Sequence, residues 1–139
     1  MPNKRSDKMT DTVPLGLYIH FPWCIRKCPY CDFNSHEVQG EAPQAAYLAR
    51  LLQDLREDYL SESHSLPESR PFSSVFVGGG TPSLFMPDLL AKLLVEATAL
   101  SGALGEVTLE ANPGAVDAQR FAAYRTAGVT RLSLGFQSM

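Results

Sequence analysis

Short apolar runs alternate along the chain with longer segments in which apolar residues recur every three or four positions. Four of the runs predict β-strands: GLYIHF (16–21), SVFV (74–77), EVTLEA (106–111) and VTRLSLGF (129–136). The leucine-rich or alanine-rich segments between them predict three helices, over residues 43–60, 87–100 and 117–127. Strands that alternate with helices at this spacing are typical of an α/β protein with parallel strands and right-handed crossovers.

Two architectures fit this order, a doubly wound sheet and an α/β barrel, and the pattern alone does not separate them. No helix follows the fourth predicted strand, although parallel strands are usually covered on both faces. We therefore expect residues 15–139 to be the N-terminal part of a larger core domain. The polar residues 1–14 are expected to form a disordered tail.

Composition and charge exclude several classes of protein. The chain has 139 residues, of which 45% are hydrophobic, and its net charge is −3, from 12 basic and 15 acidic residues. This balance lacks the basic character that nucleic-acid binding requires, and no apolar run approaches the roughly 18 residues of an integral membrane segment. Without a secretory signal and with an odd number of clustered cysteines, the chain is expected in a reducing compartment, the cytoplasm.

The thiols are confined to one segment, PWCIRKCPYC, in which Cys24, Cys28 and Cys31 lie within eight consecutive residues. Thiolates select zinc, copper(I) or iron–sulfur clusters, and a structural zinc site would need a fourth ligand. Three cysteines on a [4Fe–4S] cluster leave one iron with an open position, which suits radical chemistry on S-adenosylmethionine (SAM). A metal-free redox loop or an incomplete zinc site is the alternative that the cysteines alone leave open.

The spacing CxxxCxxC, with Tyr30 before the last cysteine, resembles the signature of the radical SAM superfamily. Four segments resemble its oxygen-independent coproporphyrinogen III oxidase-like branch, most closely the HemW-type heme chaperones: YIHFPWC, VFVGGGTPSL, LEANPG and RLSLGFQSM. The resemblance implies a TIM-like partial barrel of six β/α units, of which this chain covers about the first four strands. The rest of the barrel and a C-terminal domain would then be missing.

Further candidate residues fall at the carboxyl ends of the predicted strands, where α/β barrels place their reactive groups. Glycines in GGGTP would let the backbone approach a ligand closely, and a carboxylate such as Glu110 accepts hydrogen bonds from ribose hydroxyls. By resemblance, the cluster is bound by Cys24, Cys28 and Cys31, and SAM is bound by Tyr18, Tyr30, Gly79, Gly80, Thr81, Glu110 and Gln137. His20, which precedes the cysteines, is interpreted as a structural histidine.

Two functions of this branch compete, a heme chaperone and an enzyme that decarboxylates coproporphyrinogen III. The oxidase pattern continues with a further cysteine two residues after the third, where this chain has Phe33, and the oxidase has an N-terminal extension where only a polar tail precedes Leu15. Both departures favour a chaperone with heme or a porphyrin as its cargo and an unidentified heme-acceptor protein as its partner. A related radical SAM methyltransferase is a third reading.

Overall fold

The computed structural model of the protein describes residues 13–63, 70–113 and 117–135. These residues form six strands: β1 (Leu15–Phe21), β2 (Trp23–Cys24), β3 (His36–Glu37), β4 (Phe72–Gly79), β5 (Leu104–Ala111) and β6 (Arg131–Leu134). They also form three α-helices: α1 (Gln44–Ser63), α2 (Pro87–Ser101) and α3 (Ala118–Ala127). A short 3₁₀ turn, Pro82–Leu84, follows β4.

The four long strands form one parallel sheet in the order β1-β4-β5-β6. Each strand pairs with the next long strand along the chain, so the sheet grows in one direction without reversal. The helices follow the same order, since α1 packs against α2 and α2 against α3. A doubly wound sheet reverses its strand order at a switch point, whereas this progression is that of an α/β barrel.

Every predicted helix and long strand is found, and the main differences lie at their ends. The second predicted strand was bounded at residues 74–77, but β4 begins at Phe72, whose side chain is buried, and runs into the glycines. The first helix extends three residues beyond its predicted end. Residues 1–12 of the predicted tail and the predicted SAM contact Gln137 lie outside the described residues.

The cysteine segment was predicted as a plain loop, and that prediction is incomplete. Its two ends pair with each other as β2 and β3, a parallel ribbon two residues long on each side. The His36 N–H donates to the Pro22 carbonyl at 2.7 Å, and the Val38 N–H donates to the Cys24 carbonyl at 2.9 Å. The cysteines are therefore carried by a loop that is closed at its base.

One hydrophobic core fills the space between the sheet and the helices. Its centre includes Phe21 from β1, Val77 from β4, Leu109 from β5 and Leu90 from α2, all with no exposed surface. The Phe21 ring stacks on Phe85, with 4.9 Å between ring centroids. Because β1 and β4 end inside this core, the loops that follow them start from rigid positions.

Capping residues fix the ends of α3 and α2. The Asp117 carboxylate accepts a hydrogen bond from the Arg120 N–H at 2.8 Å and so caps α3, which ends at Gly128 with a φ of 115°. Gly102 closes α2 in the same way, with a φ of 84°. In the described part of the chain, no helix has both the length and the apolar composition that crossing a bilayer would demand.

Candidate functional site

A cleft of about 770 Å³ opens at the carboxyl ends of the four long strands. It is lined by the cysteine loop after β1, the glycines at the end of β4, and residues at the ends of β5 and β6. Eight of the ten predicted site residues line it: Cys24, Cys28, Tyr30, Cys31, Gly79, Gly80, Thr81 and Glu110. Of the other two, Tyr18 lies beside Glu110, and Gln137 lies outside the described residues.

The three cysteines are free thiols that differ in exposure. Cys24 is buried at the end of β2, Cys31 is half-buried, and Cys28 is exposed. A turn closed by the Cys31 N–H and the Cys28 carbonyl, 3.0 Å apart, brings the last two cysteines together. The thiols thus face one cleft from a short loop whose base is fixed by the β2–β3 ribbon.

Lys27 braces the cysteine loop from within. Its ammonium lies 3.2 Å from the Ser35 carbonyl and 3.5 Å from the Phe33 carbonyl, and it therefore joins the outgoing limb of the loop to the returning one. The Ser35 hydroxyl is buried and lies 3.8 Å from the Cys31 sulfur. The brace therefore holds together the two limbs of the loop that carries the thiols.

His20 connects β1, the cysteine loop and α1. Its Nε2 lies 2.7 Å from the Asn34 carbonyl oxygen, which can only accept, so Nε2 carries the proton. In the neutral ring, Nδ1 then accepts from the Tyr18 hydroxyl at 3.3 Å. The Tyr47 hydroxyl on α1 donates to the His20 carbonyl at 2.6 Å. These contacts agree with the structural role predicted for His20 and fix its tautomer.

The glycine loop, residues 79–81, lies directly against the cysteine segment. A Cβ on Gly79, which has a φ of 121°, would lie 2.6 Å from the Phe21 carbonyl oxygen. A Cβ on Gly80 would lie 2.8 Å from the Trp23 carbonyl oxygen and 2.9 Å from the Cys24 sulfur. Both positions therefore need glycine, one for its conformation and both for the close approach of the two loops.

Two amides of the glycine loop are already used by the protein. The Gly80 N–H donates to the Phe21 carbonyl at 2.8 Å, and the Thr81 N–H donates to the Trp23 carbonyl at 2.9 Å. Neither donor is free for a ligand, so what the loop can offer here is carbonyl oxygen. Carbonyl oxygens suit a ligand that carries N–H donors, such as a protonated amine.

The Tyr18 hydroxyl and the Glu110 carboxylate lie close together over Gly78 of β4. A Cβ on Gly78 would lie 3.1 Å from both the Tyr18 hydroxyl and the Glu110 carboxylate. Partial burial raises the pKa of Tyr18, and the negative charge of Glu110 raises it further. The Tyr18 ring also stacks on Phe76, at 6.2 Å between centroids. The pair therefore presents a neutral phenol and a carboxylate, which can accept hydrogen bonds from ligand hydroxyls.

The cysteine loop offers free thiols, the ligand type that iron–sulfur clusters use. Among the described residues, no three His, Cys, Asp or Glu side chains converge as the ligands of one metal ion do. In a [4Fe–4S] cluster each cysteine binds a different iron, so the sulfurs surround a cubane without meeting at one point. Three free thiols line one cleft here, and Gly80 packs against Cys24 with no side chain between them.

Several cleft residues were not singled out from the sequence. Arg26 lies between the first two cysteines, Asn112 and Pro113 follow β5, and Ser133 lies near the end of β6. The strand-end position of Asn112 was a usable signal, because it follows the strand that carries Glu110. Arg26 had no such signal, since a basic residue in an exposed loop is ordinary surface composition.

Three comparisons place this architecture among known proteins. The sequence profile described as the Radical SAM superfamily matches residues 18–139. The chain is 50% identical over 127 residues to the heme chaperone HemW of Haemophilus influenzae, a match that covers 90% of this chain and 33% of the relative. It is 48% identical over 132 residues to the heme chaperone HemW of Escherichia coli, with 94% and 34% covered.

A solved structure supports the same placement. The coproporphyrinogen III oxidase HemN of Escherichia coli, a radical SAM enzyme, superposes with a TM-score of 0.76 at 26% identity over 91% of this chain and 28% of that one. The four-stranded sheet is therefore part of the radical SAM type of barrel, which confirms the predicted fold class. The chain spans about a third of the length of the curated relatives it matches.

Proposed function

The chain belongs to the radical SAM superfamily, in its coproporphyrinogen III oxidase-like branch, and on this premise we propose that the protein is a heme chaperone. It would bind heme as cargo and transfer it to an acceptor protein. The proposed cofactors are a [4Fe–4S] cluster and SAM. The proposed location is the cytoplasm, a reducing compartment that keeps the cluster thiols available.

Cys24, Cys28 and Cys31 would hold the cluster. The closed base of their loop and the Lys27 brace support this role, because ligands held before binding lose less conformational entropy. When bound, the cluster supplies an iron with an open position, at which SAM chemistry can start. The thiols themselves bind and orient the cluster, and buried Cys24 keeps one corner away from solvent.

The remaining predicted residues would bind SAM. Carbonyl oxygens of Gly79 and Gly80 are suited to its amino group, because the Gly80 and Thr81 amides are already bonded within the protein. The Glu110 carboxylate would accept hydrogen bonds from ribose hydroxyls, with Tyr18 beside it as a neutral phenol. Tyr30, largely exposed at the cleft, would contact the adenine or shield the cluster. Gln137 belongs to the same proposed set.

One observation favours the chaperone over the oxidase. Phe33 stands where the oxidase pattern has its further cysteine, and here its side chain is 66% exposed and lines the cleft. A phenylalanine cannot supply the polar or metal-binding function of a thiol at this position. The relatives named heme chaperones are also more similar in sequence, at 48–50% identity against 26% for the oxidase.

The cluster assignment is tested on full-length protein reconstituted with iron and sulfide without oxygen. The wild type is expected to show the absorption and EPR signals of a [4Fe–4S] cluster, and serine at any one of Cys24, Cys28 and Cys31 should abolish them. Ser35→Ala is the matched control, because it alters the hydroxyl next to Cys31 and leaves every thiol in place. Bound zinc, or unchanged spectra in the cysteine variants, would contradict the assignment.

The second candidate is oxidative decarboxylation of coproporphyrinogen III, which the structural similarity to the oxidase favours. The reconstituted protein is incubated with heme and, separately, with coproporphyrinogen III and a reductant. A chaperone is expected to bind heme stably, release it to an apoprotein acceptor and leave the porphyrinogen unchanged. Decarboxylated product would instead establish the enzyme, and methylated product would establish the related methyltransferase.

A further inference from the structure

The 3₁₀ turn Pro82–Leu84 continues directly from the glycine loop and is held by side chains from two helices. The carbonyl groups of Ser83, Leu84 and Phe85 lie at its end, where backbone acceptors lack intrahelical partners. Buried carbonyls of this kind must find donors elsewhere. The donors here come from side chains on α3 and α1.

Arg120 on α3 supplies most of these donors. Its Nε lies 2.8 Å from the Ser83 carbonyl oxygen. Its Nη2 lies 3.0 Å from the Leu84 carbonyl oxygen and 3.2 Å from that of Phe85. One guanidinium thus binds three successive carbonyls, and its planar, rigid set of donors fixes their relative positions. No carboxylate contacts this guanidinium among the described residues, so the backbone carbonyls are its main partners.

Tyr124, one turn later on α3, reinforces the same carbonyls. Its side chain has no exposed surface, and its hydroxyl lies 2.7 Å from the Ser83 carbonyl oxygen and 2.5 Å from that of Phe85. The hydroxyl has one proton, which these two acceptors share, and its oxygen accepts from Arg120 Nε at 3.3 Å. Arg120 and Tyr124 therefore act as one hydrogen-bonded unit.

Gln44, at the start of α1, binds the turn from a second direction. Its Nε2 donates to the Leu84 carbonyl at 3.1 Å, and its Oε1 accepts from the Met86 N–H at 2.7 Å. Both ends of this amide are used, so its orientation is fixed by the pattern of donor and acceptor. The turn is consequently attached to both α1 and α3.

We propose that Arg120 and Tyr124, assisted by Gln44, are positioning residues. By holding the turn Pro82–Leu84, they fix where the glycine loop lies in the cleft. On one side, the Gly80 and Thr81 amides fasten that loop to the cysteine segment. On the other side, the three side chains fasten the turn that continues it. The inference rests on the proposed function in taking SAM as the ligand of this loop, and Arg120 and Tyr124 do not line the cleft themselves.

The test uses full-length, cluster-loaded protein and two measurements. The first is the dissociation constant for SAM, from anaerobic equilibrium dialysis. The second is hydrogen–deuterium exchange of peptides that cover residues 78–85. The variants are Arg120→Gln and Tyr124→Phe, and the matched control is Arg125→Gln, which removes an exposed arginine in the last turn of the same helix.

Arg120→Gln is expected to weaken SAM binding about tenfold or more and to speed exchange over residues 78–85, because charged hydrogen bonds to the turn are lost. Tyr124→Phe should do the same to a smaller extent, with the cluster spectrum unchanged, and Arg125→Gln should alter neither measurement. Equal exchange and equal affinity in Arg120→Gln and Arg125→Gln would overturn the inference. If Arg120→Gln fails to fold, Tyr124→Phe decides by the same two measurements.

The two proposals fail in different ways. If the wild type does not bind SAM, the proposed function is wrong, whereas the exchange measurement still decides whether these side chains hold the loop. If the wild type binds SAM and the variants bind it equally well, the proposed function stands and the positioning role is wrong. A lower melting temperature with unchanged affinity and exchange would likewise assign these residues to stability alone.

Discussion

The backbone of Gly80 lies against the Cys24 thiol, so closely that a Cβ on residue 80 would come 2.9 Å from the sulfur. We predict that Gly80→Ala pushes the glycine loop and the cysteine loop apart, at a cost of about 1–3 kcal/mol in the free energy of unfolding. Cluster incorporation should fall as well, because Cys24 moves relative to the other two thiols. Urea unfolding and the iron content after reconstitution measure the two effects.

Gly16→Ala is the control for this prediction. A Cβ there would lie 3.4 Å from the Ser74 hydroxyl, which is an ordinary contact distance. Gly16 is on β1 of the same sheet, but it does not line the cleft. It should retain both iron content and stability. Equal iron content in the two alanine variants would show that the close approach at Gly80 does not control the cysteine loop.

His20 gives a second prediction, because its Nε2–H holds the returning limb of the cysteine loop through the Asn34 carbonyl. His20→Ala should free that limb, cost about 1 kcal/mol of stability and increase hydrogen–deuterium exchange over residues 33–38. His20→Gln offers an amide N–H in place of Nε2–H and should restore part of the protection. Equal hydrogen–deuterium exchange over residues 33–38 in wild type and His20→Ala would show that this hydrogen bond does not hold the limb.

Glu110 gives a third prediction, which concerns the pKa of Tyr18. Burial raises this pKa first and the Glu110 charge adds to it, so Glu110→Gln should lower the pKa of Tyr18 toward its ordinary value. The ¹³C-labelled tyrosine signal, assigned with Tyr18→Phe, reports the titration by NMR. Glu106→Gln is the control on the same strand, since its carboxylate is paired with Arg131 at 2.8 Å.

The buried phenol of Tyr124 gives a fourth prediction, about alkaline pH. Burial raises the pKa of Tyr124 above the unfolded value of 10.0, and Arg120 offsets part of the rise. A raised native pKa means that the stabilising contribution is complete below pH 10 and is lost as pH rises through the native value. Stability should therefore fall less between about pH 8 and about pH 10.5 in Tyr124→Phe than in wild type. Equal losses in urea unfolding would contradict this.

Much of the architecture could be predicted from the sequence because its signals are local. The strand β5 and the helix α2 carry clear apolar patterns, and Asp117 and Gly128 mark the ends of α3 by side-chain and backbone chemistry that acts within a few residues. The barrel itself needed the family resemblance, since strand order is a long-range property that local patterns do not encode.

The parts that could not be predicted depend on contacts between distant residues. The β2–β3 ribbon joins two-residue strands twelve positions apart and has no periodicity to detect. Arg120 reads as an ordinary surface residue of a helix, and only the fold brings its guanidinium to the Ser83 carbonyl. The cysteine motif was the opposite case, because its ligand chemistry lies within eight consecutive residues.

The amides of Gly80 and Thr81 donate hydrogen bonds to the carbonyls of Phe21 and Trp23. These bonds join the glycine loop and the cysteine segment into one rigid unit. An insertion or deletion in either loop would shift these donors and acceptors out of alignment, so the lengths of the two loops are constrained jointly. For protein engineering, the two segments should be grafted together as a cassette, with the turn that follows the glycines included. Exchange of one loop alone between homologous scaffolds is expected to yield a folded barrel with a misaligned cofactor cradle.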